Sequence, residues 1–243
     1  MILNKFYHKI LNRWKRLRLQ PIRVFCLHHI TAEFDATSMC EGDWMEINKF
    51  KDSVNRMLKD GYTFISLEDA YCKITHDVLR VRKYAVLTAD DGYKSLDEII
   101  PWIIEQHIPI TLFINGKYTD GISQREEQDM KFEYLLTSEL QQYVKDGHGL
   151  VDVQSHGWEH LDATLMTVSD FRLQIDKNIS YIEQNHLSKT VGFHAYTWGR
   201  HSVETDGVLL KKRIVPVLVD GMKNYDDLGF VHRELFPLNY DRT

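Results

Sequence analysis

Short apolar segments alternate with stretches of helical periodicity along most of this sequence, and this alternation is its strongest constraint on the fold. A short apolar run bounded by turn residues predicts a buried strand, whereas apolar residues recurring every three or four positions predict an amphipathic helix. Strands are predicted at residues 22–30, 62–67, 84–88, 108–114, 150–156, 190–196 and 213–221. Helices are predicted at residues 46–61, 66–75, 95–107, 137–147, 169–186 and 203–212, with Ser66 as the candidate N-cap of the second and Thr137 or Ser138 as that of the fourth. The pattern indicates an α/β fold of parallel strands with helices outside, either closed into a barrel or open.

One buried strand ends in two adjacent acids, within the segment YAVLTADDGY at residues 84–93. Asp90 and Asp91 follow the apolar run directly, and the glycine after them predicts a turn. Two neighbouring carboxylates destabilise each other unless their roles differ or a cation lies beside them. A turn residue and a helix cap would explain one such acid well and two poorly.

Histidines and aromatic residues follow other predicted strands, at the end where parallel α/β folds carry their chemistry. They are His28 and His29 after the first strand, His156 and His160 after the fifth, and His194, Tyr196 and Trp198 after the sixth. The spacing of His156 and His160 predicts that both imidazoles lie on one side of a helical turn. Two imidazoles and one carboxylate form the ligand set of a catalytic zinc site. The alternative is a chance pair of surface histidines, because the chain contains 12.

A divalent metal would explain why both acids stand together. One Asp would bind the metal, and its neighbour would lie within reach of a water molecule as a general base. A dication beside both carboxylates would also remove most of their mutual repulsion. The pair therefore predicts a hydrolytic site at this strand end.

The first 20 residues are predicted to form a basic amphipathic helix. Seven basic residues precede the first acid at Glu33, leaving 23 basic and 35 acidic residues in the rest of the chain. Apolar residues recur at helical spacing through this segment, at Leu3, Phe6, Ile10, Trp14 and Leu17. Such a helix is typical of peripheral contact with an anionic membrane, although packing against the domain is an equal alternative. Nucleic acid is not an expected partner, because the remaining chain is acidic.

The cysteines and the absence of long apolar runs bear on location. Cys26, Cys40 and Cys72 have no metal-ligand spacing and are interpreted as free thiols of a reducing compartment. No run is long enough to predict a membrane-spanning helix. The expected location is the cytoplasm, with the basic helix at the inner face of the membrane.

With these residues in view, the sequence resembles the polysaccharide deacetylases of the NodB-homology type (carbohydrate esterase family 4). The segments LTADDGY and SHGWEH are similar to the family motifs T-F-D-D-G and H-[S/T]-x-x-H. FCLHHI, FHAYTWGRHS and GFVHRELFPL resemble segments of a branch that includes poly-N-acetylglucosamine deacetylases. The resemblance covers most of the chain. It implies an irregular (β/α) barrel, with residues 21–243 forming one catalytic domain.

The resemblance also implies the roles of the acids and histidines. Asp90 is implied as the general base. Asp91, His156 and His160 are implied as ligands of a divalent metal, usually zinc.

The remaining groups concern the leaving nitrogen and the sugar. His28 is implied as the general acid that protonates the departing amine, with His29 and His194 as lower-ranked alternatives. The backbone N–H near Trp198 is expected to hold the oxyanion. Tyr196, Trp198 and His194 are candidates for substrate binding, although aromatic residues at a strand end are as often core as sugar platform.

Several positions depart from the family pattern. Gly157 stands where the family has Ser or Thr, and its lack of a hydroxyl is expected to loosen the histidine loop. Ala195 stands where many relatives have an arginine that pairs with the base, and Thr197 replaces a proline. The proposed ligands and base are all present, so an active enzyme is favoured.

The predicted function is a metal-dependent hydrolase that removes N-acetyl groups from an amino sugar of a glycan. The cytoplasmic, membrane-proximal location favours a lipid-linked or nucleotide-linked precursor, as in capsule or other envelope glycan synthesis. The alternatives are a saccharide-binding protein with weakened catalysis on the same fold, and an amidohydrolase acting on a non-sugar amide. A phosphoryl hydrolase ranks below these, because ADDGY lacks a phosphate cradle.

Overall fold

The computed structural model describes residues 21–32, 44–76, 82–123, 126–127, 130–222, 224 and 229–237. The predicted helix at 1–20 and Cys40 lie outside the described residues, so both remain predictions. No helix in the described ranges is long and apolar enough to cross a membrane. One hydrophobic core includes side chains from Phe25 to Phe236, so the two ends of the described chain pack together.

The strands and helices alternate much as the sequence pattern predicts. The strands are β1 (Arg23–Leu27), β2 (His29–Thr31), β3 (Trp44–Glu46), β4 (Tyr62–Phe64), β5 (Lys83–Ala89), β6 (Ile110–Ile114), β7 (Glu126–Glu127), β8 (Met130–Lys131), β9 (Val151–Ser155), β10 (Phe193–Ala195), β11 (Val215–Val219) and β12 (Val231–Leu235). The helices are α1 (Ile47–Lys59), α2 (Leu67–His76), α3 (Ile100–Glu105), α4 (Thr137–Asp146), α5 (Val168–Gln184) and α6 (Val203–Lys211).

Seven parallel strands close into a barrel in the order β1-β12-β11-β10-β9-β6-β5, and β5 pairs back to β1. β4 adds to the first half of β5. Helices pack outside, so the predicted irregular (β/α) barrel is confirmed. Two small sheets, β2 with β3 and β7 with β8, lie beside the barrel.

The predicted first strand at 22–30 is in fact two strands that are interrupted at His28. β1 belongs to the barrel, whereas β2 pairs with β3 outside it. The interruption lies at the carboxyl end of β1, where the chain leaves the barrel.

Alternate residues of the barrel strands face different cores, as the two-residue period of a strand requires. One set packs against the helices; it includes Phe25, Leu87, Leu112 and Val153. The other set comes from strands all around the barrel and forms its interior; it includes Val24, Val86, Phe113, Ala195, Val217 and Val231. Side chains from α2 join this interior cluster at Leu67, Ala70 and Ile74.

Helix ends show which local predictions hold. The Ser66 hydroxyl accepts the N–H of Asp69 (3.0 Å), so Ser66 caps α2 as predicted. Neither Thr137 nor Ser138 caps α4, contrary to the prediction. Instead the Glu139 carboxylate accepts the N–H of Leu136 (2.8 Å), and the Thr137 hydroxyl donates to the carbonyl of Thr119 (3.1 Å). The Thr137 hydroxyl therefore makes a tertiary hydrogen bond instead of capping its own helix.

Candidate active site

The two acids at the end of β5 point to different partners because the chain turns between them. The N–H of Asp90 donates to the carbonyl of Leu27 (2.9 Å), which extends the β1–β5 ladder by one residue. Asp91 and Gly92 then adopt left-handed backbone conformations, with φ of 66° and 74°. Gly enters this region freely, and Asp does so more readily than most residues. The local sequence thus separates the two carboxylates.

Asp90 is held by Arg233 of β12, which reaches it across β1. Nη1 of Arg233 donates to Oδ1 of Asp90 (2.6 Å), and Nη2 donates to Oδ2 (2.7 Å). Nη1 also donates to the Thr88 hydroxyl (3.0 Å), and the guanidinium lies 5.1 Å from the centre of the Phe113 ring. Because a buried charge is costly unless it is paired, this bidentate contact makes the fully buried Arg233 tolerable.

The pair also determines the charge of Asp90. Burial raises the pKa of the Asp90 carboxyl, but the charge and hydrogen bonds of Arg233 outweigh it and lower the pKa to about 2. Burial lowers the pKa of Arg233, and the Asp90 charge reverses that effect so that the pKa is raised. Asp90 is therefore an ionised carboxylate of defined orientation.

Asp91 lies with both histidines of the predicted ligand set. Ligand atoms of Asp91, His156 and His160 all lie within 4.8 Å of one another. Oδ1 of Asp91 is 3.2 Å from Nε2 of His160 and 3.6 Å from Nε2 of His156. All three side chains are buried. The structure thus brings together the residues whose spacing predicted a metal site.

The histidine pair is not on a helical turn, so that part of the prediction is wrong. Residues 156–162 are an irregular loop after β9. Gly157 and His160 have φ of 83° and 52°, and these left-handed residues fold the loop back on itself. The ring centres come within 5.1 Å of each other. A Cβ at position 157 would meet only the His194 ring at 4.0 Å, so backbone conformation rather than space favours glycine there.

The orientation of His156 fits metal binding. Its Nδ1 lies 2.8 Å from the carbonyl oxygen of Ala195, which can accept a hydrogen bond only if Nδ1 carries the hydrogen. That tautomer leaves the Nε2 lone pair directed at Asp91. A histidine ligand whose other nitrogen donates to a carbonyl is the usual arrangement at protein zinc sites. The donor set therefore suits a divalent transition metal.

The strand register explains which first-strand histidine reaches the site. Cys26 pairs with Thr88 in the β1–β5 ladder, and both side chains lie on the interior side of the barrel, near Arg233. Two residues further on, His28 and Asp90 share that side. Atoms of His28, Cys26 and Asp90 lie within 4.8 Å of one another.

The His29 side chain points the opposite way from that of His28. Its ring stacks between Trp44 (4.2 Å) and Tyr93 (3.6 Å), in an aromatic cluster that also contains Tyr118, Phe132 and Tyr134. His194 is buried, and burial lowers its pKa to about 3, so the ring is neutral at pH 7. Of the three histidines predicted as candidate general acids, His28 is therefore the one grouped with Asp90, within 4.8 Å.

The three residues predicted to bind substrate lie in different surroundings. Trp198 is 54% exposed, and its ring packs edge-on against His160 at 4.8 Å. Tyr196 is only 1% exposed, and its hydroxyl donates to Asp206 (3.0 Å). The His194 ring packs edge-on against Tyr196. Their role in substrate binding stays a prediction.

Arg233 is the site residue that the sequence interpretation missed. The segment GFVHRELFPL was matched to a closing strand, but no role was given to its arginine. A signal was available, because Val231 and Arg233 share one face of a two-residue period. An arginine on the buried face of a strand requires a carboxylate partner.

The barrel carries the ionised Asp90 and the Asp91, His156 and His160 cluster at the carboxyl ends of its strands, where parallel α/β barrels hold their active sites. Residues 79–214 match the family model described as polysaccharide deacetylase, which is more than half of the chain. The chain belongs to the polysaccharide deacetylase family, as the sequence resemblance predicted. Membership supports deacetylase activity on a glycan.

Solved structures show the same fold at low sequence identity. IcaB from Ammonifex degensii superimposes with a TM-score of 0.74 at 15% identity, covering 90% of this chain and 94% of that one. The Streptococcus pyogenes deacetylase PplD, in complex with acetate, gives 0.75 at 17% identity, covering 91% and 94%. A de-N-acetylase from Aggregatibacter actinomycetemcomitans gives 0.74 at 13% identity, covering 92% and 97%. Comparison with curated proteins gives no match.

Proposed function

We propose that this protein is a metal-dependent hydrolase that removes N-acetyl groups from an amino sugar of a glycan. The observation that carries the proposal is the division of roles between two adjacent acids. Asp91 lies with His156 and His160, while both oxygens of Asp90 accept bonds from Arg233. This difference in surroundings supports a role as metal ligand for Asp91 and as proton acceptor for Asp90.

Asp91, His156 and His160 would hold the metal, and Zn²⁺ is the ion that best suits two imidazoles and a carboxylate. When bound, a divalent cation supplies Lewis-acid chemistry: it lowers the pKa of water and polarises a carbonyl oxygen. The protein's own contribution is to orient these ligands and to exclude bulk water, since all three are buried.

The remaining chemistry falls to the side chains around this cluster. Asp90 takes a proton from the attacking water, in an orientation set by Arg233. His28 gives a proton to the departing nitrogen, so that acetate and a free amino sugar are the products. The backbone N–H of Trp198 stabilises the oxyanion beside His160, and the exposed Trp198 ring offers a face for the sugar.

Metal content and acetate release test this proposal together. Wild type, Asp90→Asn and the control Asp176→Asn are loaded with zinc and offered short N-acetylglucosamine oligomers. Asp176 is a half-exposed acid paired with Lys212, away from the site. Wild type and control should bind about one metal per chain and release acetate, whereas Asp90→Asn should bind metal without releasing acetate. Wild type that binds no metal would support the saccharide-binding alternative instead.

We propose further that the substrate is a lipid-linked or nucleotide-linked precursor handled in the cytoplasm at the membrane. The basic composition of residues 1–20 supports this, because clustered Lys and Arg attract anionic lipid. The full chain should sediment with vesicles of anionic lipid, and a variant with Lys15, Arg16 and Arg18 changed to Glu should not. The proposal fails if the protein does not bind the vesicles and deacetylates only long polymer.

A further inference from the structure

Asn115 joins the end of one barrel strand to the loop that carries the two histidines. It follows β6 directly and is fully buried. Its side-chain Nδ2 donates to the carbonyl of His156 (2.8 Å) and to the carbonyl of Gly157 (3.0 Å). Both amide hydrogens are therefore used on two consecutive carbonyls at the point where the chain leaves β9.

The contacts of His156 show what this amide adds. The N–H of His156 donates to the carbonyl of Ile114 (3.0 Å), and its Nδ1 bonds the carbonyl of Ala195 (2.8 Å). Asn115 holds the third group, the carbonyl. The backbone on both sides of His156 and one ring nitrogen are thus tied to three different positions of the barrel.

The next residue cannot supply a brace of its own. Gly157 has no side chain, and its φ of 83° lies in the left-handed region, which glycine enters more readily than any other residue. The next two residues of the loop, Trp158 and Glu159, are held by Lys117, Tyr118 and Gln174. Asn115 holds the Gly157 carbonyl, and so fixes the start of the loop between His156 and those contacts.

The orientation of the amide follows from its partners. Oδ1 of Asn115 has no hydrogen-bond partner among the described residues. Exchanging the amide oxygen and nitrogen would place an oxygen against two carbonyl oxygens, which do not donate. The donor assignment is therefore the only one consistent with the contacts.

We propose that Asn115 is a positioning residue that keeps the His156–His160 loop in metal-binding geometry. The inference rests on the proposed metal dependence. It adds the residue that follows β6 to a site otherwise built from one residue of β12 and from the segments after β1, β5, β9 and β10. Asn115 touches neither substrate nor reacting atoms, so its effect must pass through ligand geometry and metal affinity.

Asn224 offers a matched control. It is also a buried amide whose Nδ2 donates to two carbonyls, those of His232 (2.6 Å) and Ile22 (3.4 Å). It joins the start of β1 to β12 and contacts none of the proposed ligands. Replacing Asn115 by the similarly sized Leu removes two hydrogen bonds without adding charge. The same change at Asn224 removes three, because Oδ1 of Asn224 also accepts the N–H of His232 (2.9 Å), so the control is the more severe perturbation.

The experiment measures zinc affinity by competition with a chromophoric chelator, for wild type, Asn115→Leu and Asn224→Leu. Both variants should lose thermal stability, since each leaves buried carbonyls without donors. Only Asn115→Leu should bind zinc about 10- to 100-fold more weakly, the usual effect of losing a group that orients a metal ligand. Its Co²⁺ form should also show an altered ligand-field absorption spectrum. Asn115→Ala gives the same test if the Leu variant fails to fold.

The outcomes separate this inference from the proposed function. Wild type that binds no zinc would overturn both. Wild type that binds zinc, with unchanged affinity in the Asn115 variants, would overturn the positioning role alone. An equal loss in Asn224→Leu would show that general loosening explains the effect, which also overturns it.

Discussion

Two aspartate–arginine pairs lie at the candidate active site, and they have similar N–O distances but differ in exposure. Arg233 makes two bonds to Asp90, whereas Arg200 makes one to Asp162. The Asp90–Arg233 pair has an N–O distance of 2.6 Å, and the Asp162–Arg200 pair has one of 2.7 Å. The Arg233 side chain is 0% exposed and the Arg200 side chain 61%. The first pair lies inside the barrel, and the second joins the loop after His160 to the loop after Trp198.

Two ion pairs with similar N–O distances can therefore have different functions, depending on whether water reaches them. Water screens the Asp162–Arg200 pair and can replace Arg200, while Asp162 is itself buried and also accepts two bonds from Thr164. The ion pair therefore contributes little to stability. No water replaces Arg233, so its loss would leave a buried carboxylate without a counter-charge. The buried pair thus orients a reacting group, while the exposed pair ties two surface loops together.

Arg233→Met should have the largest effect, because it removes the buried partner of Asp90. The variant keeps the size of the side chain but leaves Asp90 buried and without its partner. We expect the free energy of unfolding to fall by about 3–5 kcal/mol, as for other broken buried pairs. Urea denaturation of the metal-free protein measures this loss.

A double variant separates charge burial from lost packing. Asp90→Asn combined with Arg233→Met removes both charges, and it should be more stable than Arg233→Met alone. A double variant that loses the sum of both single effects would show that the ion pair is not what stabilises this region.

Arg233→Lys retains the positive charge but removes the bidentate contact, so it separates the effect of charge from that of orientation. Lys cannot donate in parallel to both oxygens of Asp90, so we expect a loss of about 2 kcal/mol in unfolding free energy. Acetate release should fall because the carboxylate is no longer oriented, while zinc affinity stays the same. Wild-type turnover in this variant would contradict an orienting role for Arg233.

The buried region around Asp90 contains most of the site residues that the sequence predicted, and also Arg233, which it did not predict. Strand periodicity places His28, Asp90 and Arg233 on one face of their strands, and the register of parallel strands makes them neighbours. Residue type and spacing predicted that His156, His160 and one of the two acids form a ligand set, and the family resemblance implied that this acid is Asp91. Such residues can be brought together from sequence because a two-residue period and a strand end are local properties.

The failures concern contacts between distant parts of the chain. The Arg233–Asp90 pair joins residues 143 positions apart, and no local pattern reports such a distance. The His156–His160 loop was predicted to be helical because spacing does not reveal that Gly157 and His160 take left-handed conformations. The exposure of Trp198 and the burial of Tyr196, two positions apart, likewise depend on tertiary packing.

Asp162→Ala should have a smaller effect than the changes at Arg233. Asp162 accepts the N–H (2.9 Å) and hydroxyl (2.6 Å) of Thr164, and so caps the short helix at Ala163–Leu165. Loss of this cap should reduce the unfolding free energy by about 1–2 kcal/mol. Asp162→Asn keeps an acceptor for the cap and removes the charge, so it should lose less. Equal losses in both variants would assign the stability to the ion pair instead.

Arg200→Gln is expected to have the smallest effect, below about 1 kcal/mol, because its guanidinium is mostly in water. The remaining contribution should disappear at high salt, since screening acts on exposed charges far more than on buried ones. Denaturation of wild type and variant at low and high salt measures both quantities. The loss in Arg233→Met should stay nearly constant across the same salt range. If the two arginine variants instead responded equally to salt, exposure would not be what separates the two pairs, and the distinction between an orienting and a tethering pair would fail.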